Sequence, residues 1–129
     1  MQVAVLDARK ENIVDRVPAA RKIAIQDLFR HTSGLSYASS GTTAVHKLYP
    51  ISSNGASRTL TSTEFLDQLS TQPLPYQPGT VWEYGFGLDV LGLVIESITQ
   101  QPLGQYLQDN VWKPLYEALL PWNITLDPA

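Results

Sequence analysis

A tyrosine hydroxyl, with an unperturbed pKa of about 10, can shuttle a proton at a reacting centre when a cationic neighbour favours its ionised form. Tyr84 has a setting that suits such work. It stands in Val81-Trp82-Glu83-Tyr84-Gly85-Phe86-Gly87, which begins extended and aromatic, passes through glycines, and runs into the apolar series from Leu88 to Glu96. A side chain just before a helix is held by a rigid element and still faces a cleft. The same place suits a structural tyrosine bonded to a main-chain carbonyl. His31-Thr32-Ser33 offers a second pattern, an imidazole near a hydroxyl. Near a helix end those side chains diverge and no acid partner is indicated, so His31 is expected to be structural, hydrogen-bonding its turn. Asp27 and Asp89 lack companions at metal-ligand spacing, so helix capping or solvation is expected and no metal site is assigned. Asn123-Ile124-Thr125 matches a glycosylation acceptor, a pattern common by chance.

The elements that must position Tyr84 follow from periodicity and punctuation. Residues 2–6 read as a short strand or arm, and Asp7 to Pro18 as a loop or small hairpin. Ile25, Leu28 and Phe29 predict one face of a short helix over 25–31, with Gly34 as the left-handed residue beyond it. Residues 36–60 are rich in Ser, Thr and Gly and predict a functional or mobile loop, with room for a short helix over Thr43–Tyr49. Thr61-Ser62-Thr63-Glu64 is a capping box, flanked by Leu60 and Phe65 as a hydrophobic staple. Phe65, Leu66 and Leu69 are then the buried face, and Pro73 and Pro75 stop the helix near Gln72. Pro78-Gly79 fits the centre of a type II turn. The main helix starts at Phe86 or Gly87 and runs to about Gln101. Being apolar nearly all round, it is expected to be buried on most sides. Gly92 costs about 1 kcal/mol relative to Ala inside a helix, which points to close packing there. A last helix, Leu103 to Trp112, is expected to stop at Pro114, and Trp122 to dock from the tail.

Composition narrows the function classes. At 129 residues the chain suits one domain, and 43% hydrophobic against 16% charged residues makes it globular. A net charge of −3 with no basic cluster argues against nucleic acid. Without cysteine there is no disulfide, thiolate nucleophile or Cys-based zinc site. The run Val90 to Ile95 is too short to span a bilayer. The first residues do not read as a signal peptide, so a soluble chain is expected, its compartment open.

Four blocks together resemble one family. Ile25-Gln26-Asp27-Leu28-Phe29-Arg30-His31-Thr32-Ser33-Gly34-Leu35 is similar to the Leu-Leu-x-His-Thr-Ser-Gly-Leu segment of the serine β-lactamase-like superfamily. That superfamily comprises class C β-lactamases, DD-peptidases and related esterases. Pro75-x-x-Pro-Gly-x-x-Trp-x-Tyr, ending at Tyr84, resembles the approach to its catalytic tyrosine. Gly87 to Glu96 and Tyr106 to Leu115 resemble the helices that follow, in the family's order.

The resemblance implies a serine in Ser-x-x-Lys that attacks an ester or amide carbonyl, with the lysine and a tyrosine managing its proton and water releasing the acyl group. Tyr84 matches that tyrosine. The β-lactamases and peptidases usually carry Tyr-x-Asn; here Tyr84-Gly85-Phe86 resembles the esterase branch and favours carboxylic esters. Phe86 is expected near the cleft; Trp82 could line the substrate pocket too, although a core position is favoured for it. No serine here has a lysine three residues on, and the later Lys/His-Thr/Ser-Gly strand is missing. The implied fold is therefore mainly α: the small helical domain of the β-lactamase/transpeptidase-like fold, without most of the α/β domain. Its parts would be an extended arm (1–22), the helical subdomain (23–115) and a tail (116–129). The expected function is that of the helical part of a serine hydrolase for esters, β-lactams or peptides, inactive alone and needing no cofactor. The competing reading is a non-catalytic helical binding module. Either way an exposed apolar face is expected to drive self-association.

Overall fold

The computed structural model describes residues 1–51 and 60–119. The chain divides into two compact units, residues 1–91 and 92–129. Ser53, Ser57, Trp122 and the Asn123 acceptor pattern fall outside the described residues.

The first unit opens with a hairpin. Strand β1 (Gln2–Leu6) pairs antiparallel with β2 (Ile13–Pro18), in a register running from Gln2 opposite Pro18 to Leu6 opposite Ile13. Asp7 closes it, its carboxylate accepting from the Glu11 N–H and the Asn12 amide. β1 is also tied to Leu74, which donates to the Gln2 carbonyl and accepts from the Ala4 N–H. Of the two sequence expectations for residues 7–18, the hairpin is the one that forms.

Helix α1 (Ile25–Phe29) ends by way of a histidine. His31 has φ 54°, and the Thr32 N–H reaches back to the Asp27 carbonyl while the His31 N–H reaches Leu28. That is a Schellman closure with His31, not Gly34, in the left-handed position after the C-cap. Gly34 is left-handed as well, at φ 79°, in the turn that follows. Only Leu28 of the expected apolar face is buried; Ile25 and Phe29 are exposed. Asp27 takes the place beside Leu28, an inward role that its charge hid in the sequence.

The segment after α1 is short of regular structure yet packed. Two single 3-10 turns, Ala38–Ser40 and His46–Leu48, bury Tyr37, Val45 and Tyr49. The possible helix over 43–49 is thus one tight turn. Helix α2 (Ser62–Thr71) starts on the expected capping box: the Glu64 N–H donates to Thr61 Oγ1, and the Glu64 carboxylate accepts from the Thr61 N–H. Phe65 and Leu69 are buried, whereas Leu66 is exposed, so the buried face is narrower than expected. The turn at Pro78-Gly79 forms, with Gly79 at φ 86° and the Thr80 N–H on the Gln77 carbonyl.

Helix α3 (Gly87–Thr99) begins in the first unit and continues in the second. It is not buried on most sides: Leu91 is buried, but Leu88 and Ile98 are exposed. An apolar side chain records what a helix can cover, not whether the cover is present in the same chain.

In the second unit, an alanine Cβ at Gly92 would lie 2.9 Å from Leu103 Cδ2, the close approach expected of that glycine. The Glu96 carboxylate accepts the Leu103 N–H at the start of α4 (Leu103–Leu107). Pro114 does not stop the helix. A π turn, Gln108–Trp112, leads into α5 (Lys113–Leu119), with the Lys113 N–H donating to the Gln108 carbonyl five residues back. The wider turn gives the proline ring room where a regular helix would clash.

Candidate functional site around Tyr84

The extended segment 81–86 lies against the main chain of two earlier segments. The Glu83 N–H donates to the His31 carbonyl at 2.8 Å, and the Phe86 N–H to the Leu35 carbonyl at 3.1 Å. Ser40 Oγ donates to the Tyr84 carbonyl at 2.6 Å. The glycines permit this approach. A Cβ on Gly85 would collide with the Leu35 carbonyl oxygen, and one on Gly87 would lie 2.7 Å from that of Leu28. The main chain around Tyr84 is therefore tied to the α1 turn, to the irregular segment at Leu35 and to the 3-10 turn at Ser40.

Side chains alternate across an extended segment. Trp82 and Tyr84 go outward, 68% and 53% exposed, while the Glu83 side chain goes inward and is 12% exposed. Past Gly85 the chain turns, and Phe86 is fully buried. The core position favoured for Trp82 is not the one it takes. Phe86 packs edge-on to Tyr37 and Phe65, at 4.4 and 5.3 Å between centroids, within the core of the first unit. Trp82 is on the surface rather than in the core. The two types are equally apolar, and only the kink at Gly85 separates their fates.

Tyr84 is held through its ring. Its centroid lies 4.8 Å from that of His31, tilted by 44°, and 5.5 Å from that of Tyr37. His31 also meets Trp82 at 6.1 Å, edge-on. The expected hydrogen bond from the His31 ring to its turn is not made: Nδ1 is buried without a partner, and the ring serves as an aromatic wall. Nor does His31 serve Ser33, which is buried and accepts from the Leu35 N–H. Tyr37 donates its hydroxyl to Asp89 Oδ2 at 3.2 Å, which ties the first turn of α3 to the aromatic cluster.

Two ionic features escaped the sequence reading. Arg21 grips Asp27 with two guanidinium nitrogens, at 2.6 and 2.8 Å, while Asp27 also accepts from the Ala24 N–H and Thr32 Oγ1. Arg21, then the Ala24 N–H, hold the Asp27 carboxyl well below the usual carboxylate range against the opposing effect of burial. The second is His46, fully buried, with Nε2 3.1 Å from both Glu83 oxygens and Nδ1 2.6 Å from Thr43 Oγ1. Near the same carboxylate, burial first and the charge of Glu83 second raise the Tyr76 hydroxyl above the ordinary tyrosine range. Arg21 and Asp27 are six residues apart, His46 and Glu83 thirty-seven, and no periodicity links either pair. Among the described residues no group of three or more His, Cys, Asp or Glu side chains gathers as a metal site.

Comparison with known proteins places the chain in a family. The Beta-lactamase family profile matches residues 4–122. The chain belongs to the Beta-lactamase family. It is 35% identical over 113 residues to Protein Rv1367c of Mycobacterium tuberculosis, covering 88% of this chain and 27% of that one. It is 38% identical over 94 residues to Esterase EstB of Burkholderia gladioli, covering 72% and 24%. Among solved structures, EstCE1, described as a hydrolase with promiscuous acyltransferase activity, superposes with a TM-score of 0.60 at 33% identity, over 72% of this chain and 25% of that one. The chain thus spans about a quarter of the length of these relatives. Among the described residues no helix is long and apolar enough to cross a membrane.

Proposed function

We propose that this chain is the tyrosine-bearing, mainly helical part of a serine ester hydrolase, with Tyr84 as the group that moves the nucleophile's proton. The observation that carries this reading is the pairing of a half-exposed Tyr84 with a main chain bonded at residues 83, 84 and 86. Rigid support and an accessible hydroxyl are what a proton carrier needs. Relatives named as an esterase and as a hydrolase with acyltransferase activity support the reaction class. Phe86, standing where β-lactamases and peptidases usually carry asparagine, supports esters over β-lactams, because its side chain has no amide to offer a substrate. Trp82, exposed and beside His31, is the side chain proposed to line the acyl pocket. The nucleophile and its lysine are outside this sequence, which contains no Ser-x-x-Lys, so the chain alone is proposed to be inactive.

The test has two arms. The purified chain is assayed with a p-nitrophenyl ester and a chromogenic cephalosporin, and no turnover is expected. Residues 23–115 are then exchanged for the matching segment of EstB. The chimera is expected to hydrolyse the ester, and Tyr84→Phe to lower kcat by about 10²-fold or more, the usual scale of general acid–base catalysis. Turnover by the isolated chain that survives Tyr84→Phe overturns the reading.

A second reading, a non-catalytic interaction module on this scaffold, is supported by the exposure of Ile25, Phe29, Trp82 and Leu88. It predicts a chimera that folds yet stays inert.

A further inference from the structure

We propose that His46 and Glu83 are positioning residues for Tyr84, a buried imidazole–carboxylate pair that sets the rotation of the segment carrying the tyrosine. This deepens the reading of Tyr84 as a proton carrier and rests on it. Alternation in an extended segment couples the two side chains: with Glu83 fixed inward, Tyr84 is fixed outward. Glu83 is fixed tightly. Both its oxygens lie 3.1 Å from His46 Nε2, and its side chain is only 12% exposed. His46 cannot swing away, because Nδ1 is 2.6 Å from Thr43 Oγ1 and Gly41 lies flat on the ring. A Cβ at Gly41 would come within 2.5–2.8 Å of three imidazole atoms. Ser40, beside Gly41, bonds the Tyr84 carbonyl. One stretch, residues 40–46, therefore holds both the side chain of residue 83 and the main chain of residue 84.

Stability alone does not account for the pair. A buried polar pair recovers little more than its desolvation cost, and packed apolar residues of similar volume often serve a core as well or better. What an apolar pair does not supply is direction. A nitrogen centred on the two oxygens of one carboxylate favours one rotation about the Glu83 side chain.

The experiment reads the Tyr84 ring in the chain as it stands. Its proton resonances, assigned by their loss in Tyr84→Phe, are displaced by the neighbouring His31 and Tyr37 rings. The double variant His46→Leu/Glu83→Leu removes the pair without leaving a charge unpaired. It is expected to fold, to move the Tyr84 ring resonances toward those of an unstructured tyrosine, and to speed amide exchange at residue 83 and Phe86 by about tenfold. His46→Gln, which keeps a donor for Glu83, is expected to leave most of the wild-type shifts. Leu69→Ala, a core change in α2, should lower stability without moving the ring. A folded double variant with unchanged ring shifts and exchange overturns the proposal. So does unfolding of both the double variant and His46→Gln, since the pair would then serve stability alone. The readout is spectroscopic, so its failure leaves the proton-carrier reading of Tyr84 standing, and an inert chimera leaves the positioning role standing.

Discussion

The two faces of segment 81–86 are built in opposite ways. The outward face carries Trp82 and Tyr84, both largely exposed, against a His31 ring whose buried nitrogen has no hydrogen-bond partner. The inward face carries Glu83, Gly85 and then Phe86; the carboxylate is bonded to His46, and Phe86 is fully buried. A polar group buried without a partner costs free energy, and native chains keep few of them. Here that cost is confined to the side where chemistry is proposed, while the other side is satisfied. The difference teaches that rigidity and reactivity are supplied to Tyr84 from opposite directions: the inward face fixes the chain, and the outward face leaves the ring and hydroxyl accessible.

The largest way to break this contrast is to spoil the inward face at its tightest point. Gly85→Ala sets a methyl against the Leu35 carbonyl oxygen, the acceptor of the Phe86 N–H. Main chain on both sides leaves nothing flexible to yield. The expected loss exceeds about 4 kcal/mol, among the most severe single substitutions and a large share of the total stability of a domain this size. Circular dichroism and urea titration measure it. A folded variant within about 1 kcal/mol of wild type would mean the inward face has slack, and the contrast between the faces would fail.

A middle-sized effect sharpens the contrast at the base of the outward face. Asp27 accepts the Ala24 N–H, binds Arg21, and gives its carbonyl to the Thr32 N–H that closes the turn bearing His31. Asp27→Asn is expected to destabilise by about 2–3 kcal/mol at neutral pH, the scale of lost hydrogen bonds to a charged group. The sign of the pH dependence follows from the depressed folded-state pKa. The carboxylate's contribution is complete above its unfolded value of about 3.9 and declines as pH falls below that value. The gap between wild type and Asp27→Asn in thermal melting should therefore hold steady from pH 7 to about 5 and narrow below about 4. A constant gap down to pH 2 would show that the charge is not what holds the turn.

Local signals were legible and tertiary ones were not. The Thr61–Glu64 capping box, the Pro78-Gly79 turn and the start of α3 at Gly87 each depend on neighbours within a few residues, and each was read from spacing. Tyr84 was legible as a tyrosine at a strand-to-helix change. Its support was not, because Glu83 and His46 meet only when a segment of single 3-10 turns folds back, and such a segment carries no period. The exposure of Trp82 and the full burial of Phe86 were not legible, because apolarity says nothing about which side of the chain a residue faces. Pro114 was read as a stop because a one-dimensional rule has no place for a π turn that makes room upstream. Ile25, Phe29 and Leu88 were assigned to buried faces that this chain leaves open.

The smallest expected effect on stability lies on the outward face, where it tests the proposed apolar association. Trp82 is 68% exposed and contacts the His31 ring edge-on at 6.1 Å, so Trp82→Ser should cost under about 1 kcal/mol. Phe29→Ser, at another exposed position, should cost as little. Yet exposed aromatic surface is what a self-associating chain buries, so the double variant should lower the weight-average mass in sedimentation at high protein concentration while the melting curve barely moves. An inward substitution of equal volume change should do the reverse, lowering stability before it touches association. If the wild-type chain sediments as a monomer at every concentration, the outward face does not drive self-association, and its exposure must be explained by the substrate pocket proposed for Trp82. If instead the double variant loses several kcal/mol, Trp82 or Phe29 is part of the core in solution, and the division of segment 81–86 into a fixed face and an open one is wrong.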